Sequence, residues 1–167
     1  MSERSPEQAA AGSRPDPDVG PGRVHHVAVV VRDLDAALGT YRDRLGLQLE
    51  TVLPIESDRV RIAFLALGES KLELVEPTDE TTGVARFLES RGEGFHHVCL
   101  EVPRLAEALD RLAAQGVELI DQAPRRGAEG PVAFIHPRSC HGVLVELIEA
   151  SGGPAWAALG MTSPSGG

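Results

Sequence analysis

The sequence predicts an α+β fold: two tandem βαβββ modules forming one cupped, mostly antiparallel sheet. Three observations carry that expectation. First, the stretch Arg23-Val24-His25-His26-Val27-Ala28-Val29-Val30-Val31 has a counterpart 71 positions on, Gly94-Phe95-His96-His97-Val98-Cys99-Leu100-Glu101-Val102; both are a histidine pair opening an apolar run. Second, each is followed by a segment with helical spacing, 33–45 and 104–115. Third, each half closes on a strand with one glutamate among apolar neighbours, Lys71-Leu72-Glu73-Leu74-Val75 and Val143-Leu144-Val145-Glu146-Leu147. A period of 71 residues is too long for a solenoid repeat and suits a duplicated module.

Residues 24–31 are nearly all apolar and largely β-branched, which predicts a buried strand. Asp33 is placed to cap a helix with Leu34, Ala37, Leu38, Tyr41 and Leu45 on one face, and Gly46 suits its C-terminal end. Strands follow at 47–53, 60–67 and 71–75, with turns at 56–59 and 68–70. A short helix at 84–91 leads through Gly92-Glu93-Gly94 into the second half. There the order repeats: a strand at 95–102, then a helix with Leu105, Ala108, Leu109 and Leu112 on one face, ended by Gly116. A strand starts at 117–120, a loop covers 124–130, and strands follow at 132–136 and 143–148. Residues 1–22 are polar and aperiodic and predict a disordered leader. Residues 23–150 read as a single domain with modules at about 23–77 and 94–150; 151–167 read as a loose tail in which only Trp156 and Leu159 look able to dock.

Composition narrows the function. A net charge of −9 disfavours a nucleic-acid or anionic-membrane surface, because no global positive field attracts phosphates. Lys71 is the one lysine among 16 basic residues; Arg125, Arg126 and Arg138 offer a local anion-binding edge or a solvated face. Two cysteines, Cys99 and Cys140, make neither a disulfide framework nor a metal spacing, and no apolar run is long enough to span a membrane. With no signal peptide in view, the expected location is cytoplasmic.

The two histidine pairs and two glutamates are the feature that asks for chemistry. A carboxylate on the inward face of an apolar strand is costly unless paired or metal-bound. Glu73 and Glu146 both meet that description, at matched places. Imidazole nitrogen and carboxylate oxygen are the usual ligands of a divalent first-row metal; cobalt, manganese, nickel or iron would accept two of each, and zinc is less obviously preferred. The first and fourth strands of each module would direct them to one cavity. Strand alternation sends the two rings of each pair to opposite faces, and the symmetry does not decide which ring points inward. His136 and His141 flank a turn and read as exposed, and Glu76 and Glu149 read as solvated.

With these residues in hand, the chain resembles the vicinal oxygen chelate (glyoxalase/bleomycin resistance/dioxygenase) superfamily and, within it, the methylmalonyl-CoA epimerases. The resemblance covers residues 24–149. Its most specific pieces are Arg91-Gly92-Glu93-Gly94-Phe95-His96-His97-Val98 and His136-Pro137-Arg138-Ser139-Cys140-His141-Gly142-Val143-Leu144-Val145-Glu146-Leu147. It implies four metal ligands, His26, Glu73, His97 and Glu146, the second histidine of each pair being the one used. It implies an isomerase acting on an acyl-CoA in propionate-type metabolism, through an enolate at C2, and a homodimer. Glu146 and Glu73 are the expected proton-transfer residues; some relatives carry a glutamate where this chain has Ile62. The alternatives are a glyoxalase-type lyase, another metal-dependent enzyme of the superfamily, or a small-molecule-binding protein of the same fold.

Overall fold

The computed structural model describes residues 20–151. Most of the expected leader and tail, including Trp156 and Leu159, lies outside the described residues. Eight strands form a single sheet: β1 Arg23–Val30, β2 Leu49–Ile55, β3 Val60–Leu67, β4 Ser70–Pro77, β5 Gly94–Val102, β6 Arg125–Arg126, β7 Pro131–Ile135 and β8 Leu144–Glu149. Their spatial order is β2-β3-β4-β1-β5-β8-β7-β6. The first and fourth strands of each module pair in parallel, β1 with β4 and β5 with β8, and every other pairing is antiparallel. The two modules meet along β1 and β5, so the duplicated histidine strands lie side by side at the centre.

Helices cover one face at both ends of the sheet. Helix α1, Leu34–Leu38, buries Leu34 and Leu38 against Ala63, Leu65, Leu72 and Leu74. Helix α3, Leu105–Ala114, buries Leu105, Ala108 and Leu109 against Ala133, Ile135, Val145 and Leu147. Each fully buried leucine contributes roughly 1.5–3 kcal/mol. Helix α2, Gly83–Arg91, is capped by the Thr82 hydroxyl; its Leu88 packs on the opposite face with Ala28, Val30, Ile62, Phe64 and Val75.

The first expected helix is divided. Asp33 caps α1 by accepting the Ala36 N–H at 2.9 Å, and Gly46 takes the left-handed conformation at φ 77°. Between them, Gly39–Arg44 forms a π-helical stretch. Its wider turn shifts the phase of the stripe, and Leu45, expected on the buried face, is 63% exposed. Strand β2 starts two residues later than expected.

The strand expected at 117–120 is not formed; Leu119 makes one isolated bridge to Ile135. Leu119 instead sinks under α3, and the chain reaches the sheet edge only at Arg125, just after Pro124, which has no N–H to donate. Glu76 and Glu149 are not simply solvated. Glu76 accepts the N–H of Leu34 at 3.1 Å and Glu149 that of Leu105 at 2.8 Å, so each carboxylate satisfies the first turn of its module's helix.

Candidate active site

Strand register gathers the expected donors. Glu73 pairs with Ala28, and Ala28 with His97; Glu146 pairs with Cys99, and Cys99 with His26. Directly paired residues share a sheet face, so all four side chains project to one side. Phe64 opposite Glu73 and Phe134 opposite Glu146 extend the same row, their rings standing edge-on to His26 and His97 at 5.6 and 5.3 Å.

The expectation that each pair would send its rings to opposite faces fails, for a local reason. The β1–β5 ladder slips once between Val24 and His26, and again where Ala28 pairs with His97 but Val29 with Phe95. His25 and His96 are the extra residues at these two β-bulges, and a bulge re-aims its side chain. Each outer ring comes to rest against its neighbour: His25 Nδ1 lies 2.9 Å from His26 Nδ1, and His96 Nδ1 lies 2.8 Å from His97 Nδ1.

The inner rings point at each other. His26 Nε2 is 3.2 Å from His97 Nε2, 3.1 Å from Glu146 Oε2 and 3.4 Å from Glu73 Oε2. His97 Nε2 is 3.2 Å from Glu146 Oε2 and 3.7 Å from Glu73 Oε2. All four residues are buried. Two imidazole lone pairs and two carboxylates this close repel one another unless protons or a cation sit among them. The two carboxylates favour the charged form of His26. Burial opposes its charge, but hydrogen bonds to Glu146 and Glu73 push it up to about 9. Burial would also raise Glu146, yet the bonds from His26 and His97 hold it below the usual carboxylate range. Donor chemistry and convergence both fit a divalent cation, with His26, His97 and Glu146 the tightest group and Glu73 a longer reach away.

The cluster forms the floor of a cavity of about 470 Å³, reached by Glu73, His96, His97 and Glu146. Its walls are apolar, with Ile62, Val75, Phe87 and Phe134 prominent. Ile62 is buried there, so its position brings no carboxylate to the cavity. His26 sits behind, beside a hollow of about 30 Å³ shared with His25 and Glu129. Another part of the wall comes from Ile120, at the end of the stretch expected as a strand, and from Gly127 and Ala128 in the expected loop. Arg125 lines the cavity too, but Asp58 at 3.2 Å and Asp121 at 3.4 Å already engage it. His136 accepts the Arg138 N–H and caps a 3₁₀ turn, and His141 is exposed with a left-handed backbone. Among the described residues, no helix is long and apolar enough to cross a membrane.

Residues 25–135 match the family described as the Glyoxalase/Bleomycin resistance protein/Dioxygenase superfamily. The chain is 40% identical over 131 residues to the mitochondrial methylmalonyl-CoA epimerase of Mus musculus, covering 77% of this chain and 74% of that one. It is also 40% identical, over 129 residues, to an ethylmalonyl-CoA/methylmalonyl-CoA epimerase of Cereibacter sphaeroides, covering 75% of this chain and 96% of that one. A solved structure of methylmalonyl-CoA epimerase in complex with methylmalonyl-CoA and NH4+ superposes with a TM-score of 0.77 at 32% identity, over 81% of this chain and 99% of that chain. A duplicated sheet with a buried His/Glu cluster thus coincides with a match along most of the folded chain: the protein belongs to the Glyoxalase/Bleomycin resistance protein/Dioxygenase superfamily, among its methylmalonyl-CoA epimerases.

Proposed function

We propose that this chain interconverts the two C2 epimers of methylmalonyl-CoA, with a divalent ion held by His26, Glu73, His97 and Glu146. The observation that carries the reading is the placement of the two carboxylates. Glu73 on β4 and Glu146 on β8 flank the central histidine strands, one on each side, at the floor of one cavity. Epimerisation removes the C2 proton from one face of the carbon and returns a proton to the other, which calls for two proton-transfer groups on opposite sides. The relatives' names and the methylmalonyl-CoA complex support the same substrate class.

A bound divalent ion supplies Lewis-acid stabilisation of the negative charge that develops on the thioester and carboxylate oxygens. Cobalt, manganese and nickel are the ions we favour for two imidazoles and two carboxylates. The chain's own residues do the rest. The apolar walls exclude water from the carbanion-forming carbon, and the Glu146 carboxylate at the floor of the cavity accepts its proton. Glu73, at the longer distances from both histidines and on the other flanking strand, serves the opposite face.

Replacing Glu146 with Gln keeps an oxygen donor and removes the basicity. C2 proton exchange of methylmalonyl-CoA should fall by about 100-fold or more, the usual scale of general acid–base catalysis, while thioester binding stays within about threefold. Equal losses in exchange and binding would sink the assignment of Glu146 as a base.

A further inference from the structure

The outer histidines, His25 and His96, take no part in the reading above, yet both are half-buried and turned toward the site by a backbone irregularity. A bulge in an antiparallel ladder leaves its extra residue unpaired and bends the strand. Here it occurs twice, once in each copy of the duplicated strand, and each time the extra residue is the histidine before the inward one. Each time, the result is the same contact, Nδ1 to Nδ1 at 2.9 and 2.8 Å.

Two imidazole nitrogens at that distance share one proton, and which ring owns it is fixed by the far side of the inner ring. His26 and His97 present Nε2 to the carboxylates and to each other. For Nε2 to offer a lone pair to a cation, Nδ1 must carry the hydrogen. Each outer ring must then accept at Nδ1 and carry its own hydrogen on Nε2. On the His25 side a carboxylate waits for that hydrogen: Glu129 Oε2 is buried, has no hydrogen-bond partner and lies 3.7 Å from His25 Nε2. On the His96 side the ring packs edge-on against Phe87 at 4.9 Å.

We propose that His25 and His96 are positioning residues: each accepts the Nδ1–H of the histidine beside it, and so fixes His26 and His97 with Nε2 lone pairs directed into the four-donor cluster. The inference rests on the divalent-ion reading above. Glu129 adds a carboxylate behind His25 alone, so the two supports are matched in geometry and unequal in strength. Outer partners of this kind typically govern metal affinity by about 10- to 100-fold.

The test is a Co2+ titration against a chromophoric chelator, using the full chain and the variants His25→Phe, His96→Phe, His25→Asn and His96→Asn. Phenylalanine keeps the ring and removes the acceptor; the asparagine side-chain oxygen sits near the place of Nδ1 and restores it. The Phe variants should bind Co2+ about 10- to 100-fold more weakly, and the Asn variants should recover to within about threefold of the parent, with unchanged thermal midpoints of the metal-free proteins. In the Zn2+-loaded parent, 15N NMR of the histidines should place a proton on Nδ1 of both inner rings and on Nε2 of both outer rings. This second readout stands even where a Phe variant does not fold. Phe variants that keep the parent affinity, Asn variants that lose as much as Phe, or inner rings without a proton on Nδ1 would each overturn the proposal. A parent that binds no Co2+ would overturn the ion reading and take this proposal with it.

Discussion

The two modules agree where four strands meet and diverge at their outer edges. In both, the first strand carries an inward histidine behind a bulge, the fourth carries an inward glutamate, the third places a phenylalanine opposite that glutamate, and a carboxylate three residues further on holds the helix N-terminus. At the periphery the likeness ends. The first module finishes on a seven-residue strand, and its cavity side is filled by Ala28, Val30, Val60, Ile62, Phe64, Val75 and Leu88, with α2 packed on top. The second finishes on a two-residue strand, and its buried cluster on the cavity side is only Cys99, Val132 and Ile148. The chain released from the second edge, around Ile120, Gly127 and Ala128, becomes cavity wall. The lesson is a division of labour. Paired donors need matched backbone, so duplication is kept at the centre, whereas an asymmetric substrate needs one filled side and one open side.

That contrast can be broken at its asymmetric end with the largest effect. A β-carbon added at Gly127 would stand 2.7 Å from Val132 Cγ1 and 3.0 Å from the Gly130 carbonyl oxygen. Neither neighbour is the end of a flexible side chain. Gly127→Ala should therefore cost about 1–3 kcal/mol in denaturant unfolding and narrow the cavity from the second-module side. An unchanged midpoint would mean that this wall is loose rather than built. A smaller effect sharpens the symmetric part. Helix α3 begins after Arg104, which offers no side-chain cap, so Glu149 is its main anchor; α1 has Asp33 as well as Glu76. Glu149→Ala should cost about 1–2 kcal/mol and Glu76→Ala about half as much, by the same measurement. The reverse order would show that the two caps are not equivalent devices.

Much of this was legible in the sequence, because the informative signals are local or periodic. The 71-residue repeat announced the duplication, the apolar run between two turns marked β3 at its observed limits, and Glu73 and Glu146 stood out as carboxylates inside apolar strands. Three features were not legible, each for a non-local reason. The direction of His25 and His96 depends on where the β1–β5 ladder slips, and register between strands 71 residues apart leaves no mark within either strand. The stretch at 117–120 reads as a strand, but its Leu119 is claimed by the α3 core. Glu76 and Glu149 look like strand-end surface charges until the helices return over the sheet and offer them free N–H groups.

The most direct test of the central claim is C2 proton exchange of methylmalonyl-CoA in deuterated buffer, followed by NMR, with protein stripped of metal and then reloaded with cobalt. The account predicts negligible exchange in the stripped protein, and rapid exchange with interconversion of the epimers after reloading. Exchange that is absent in every metal form, or equally fast without any metal, would contradict it.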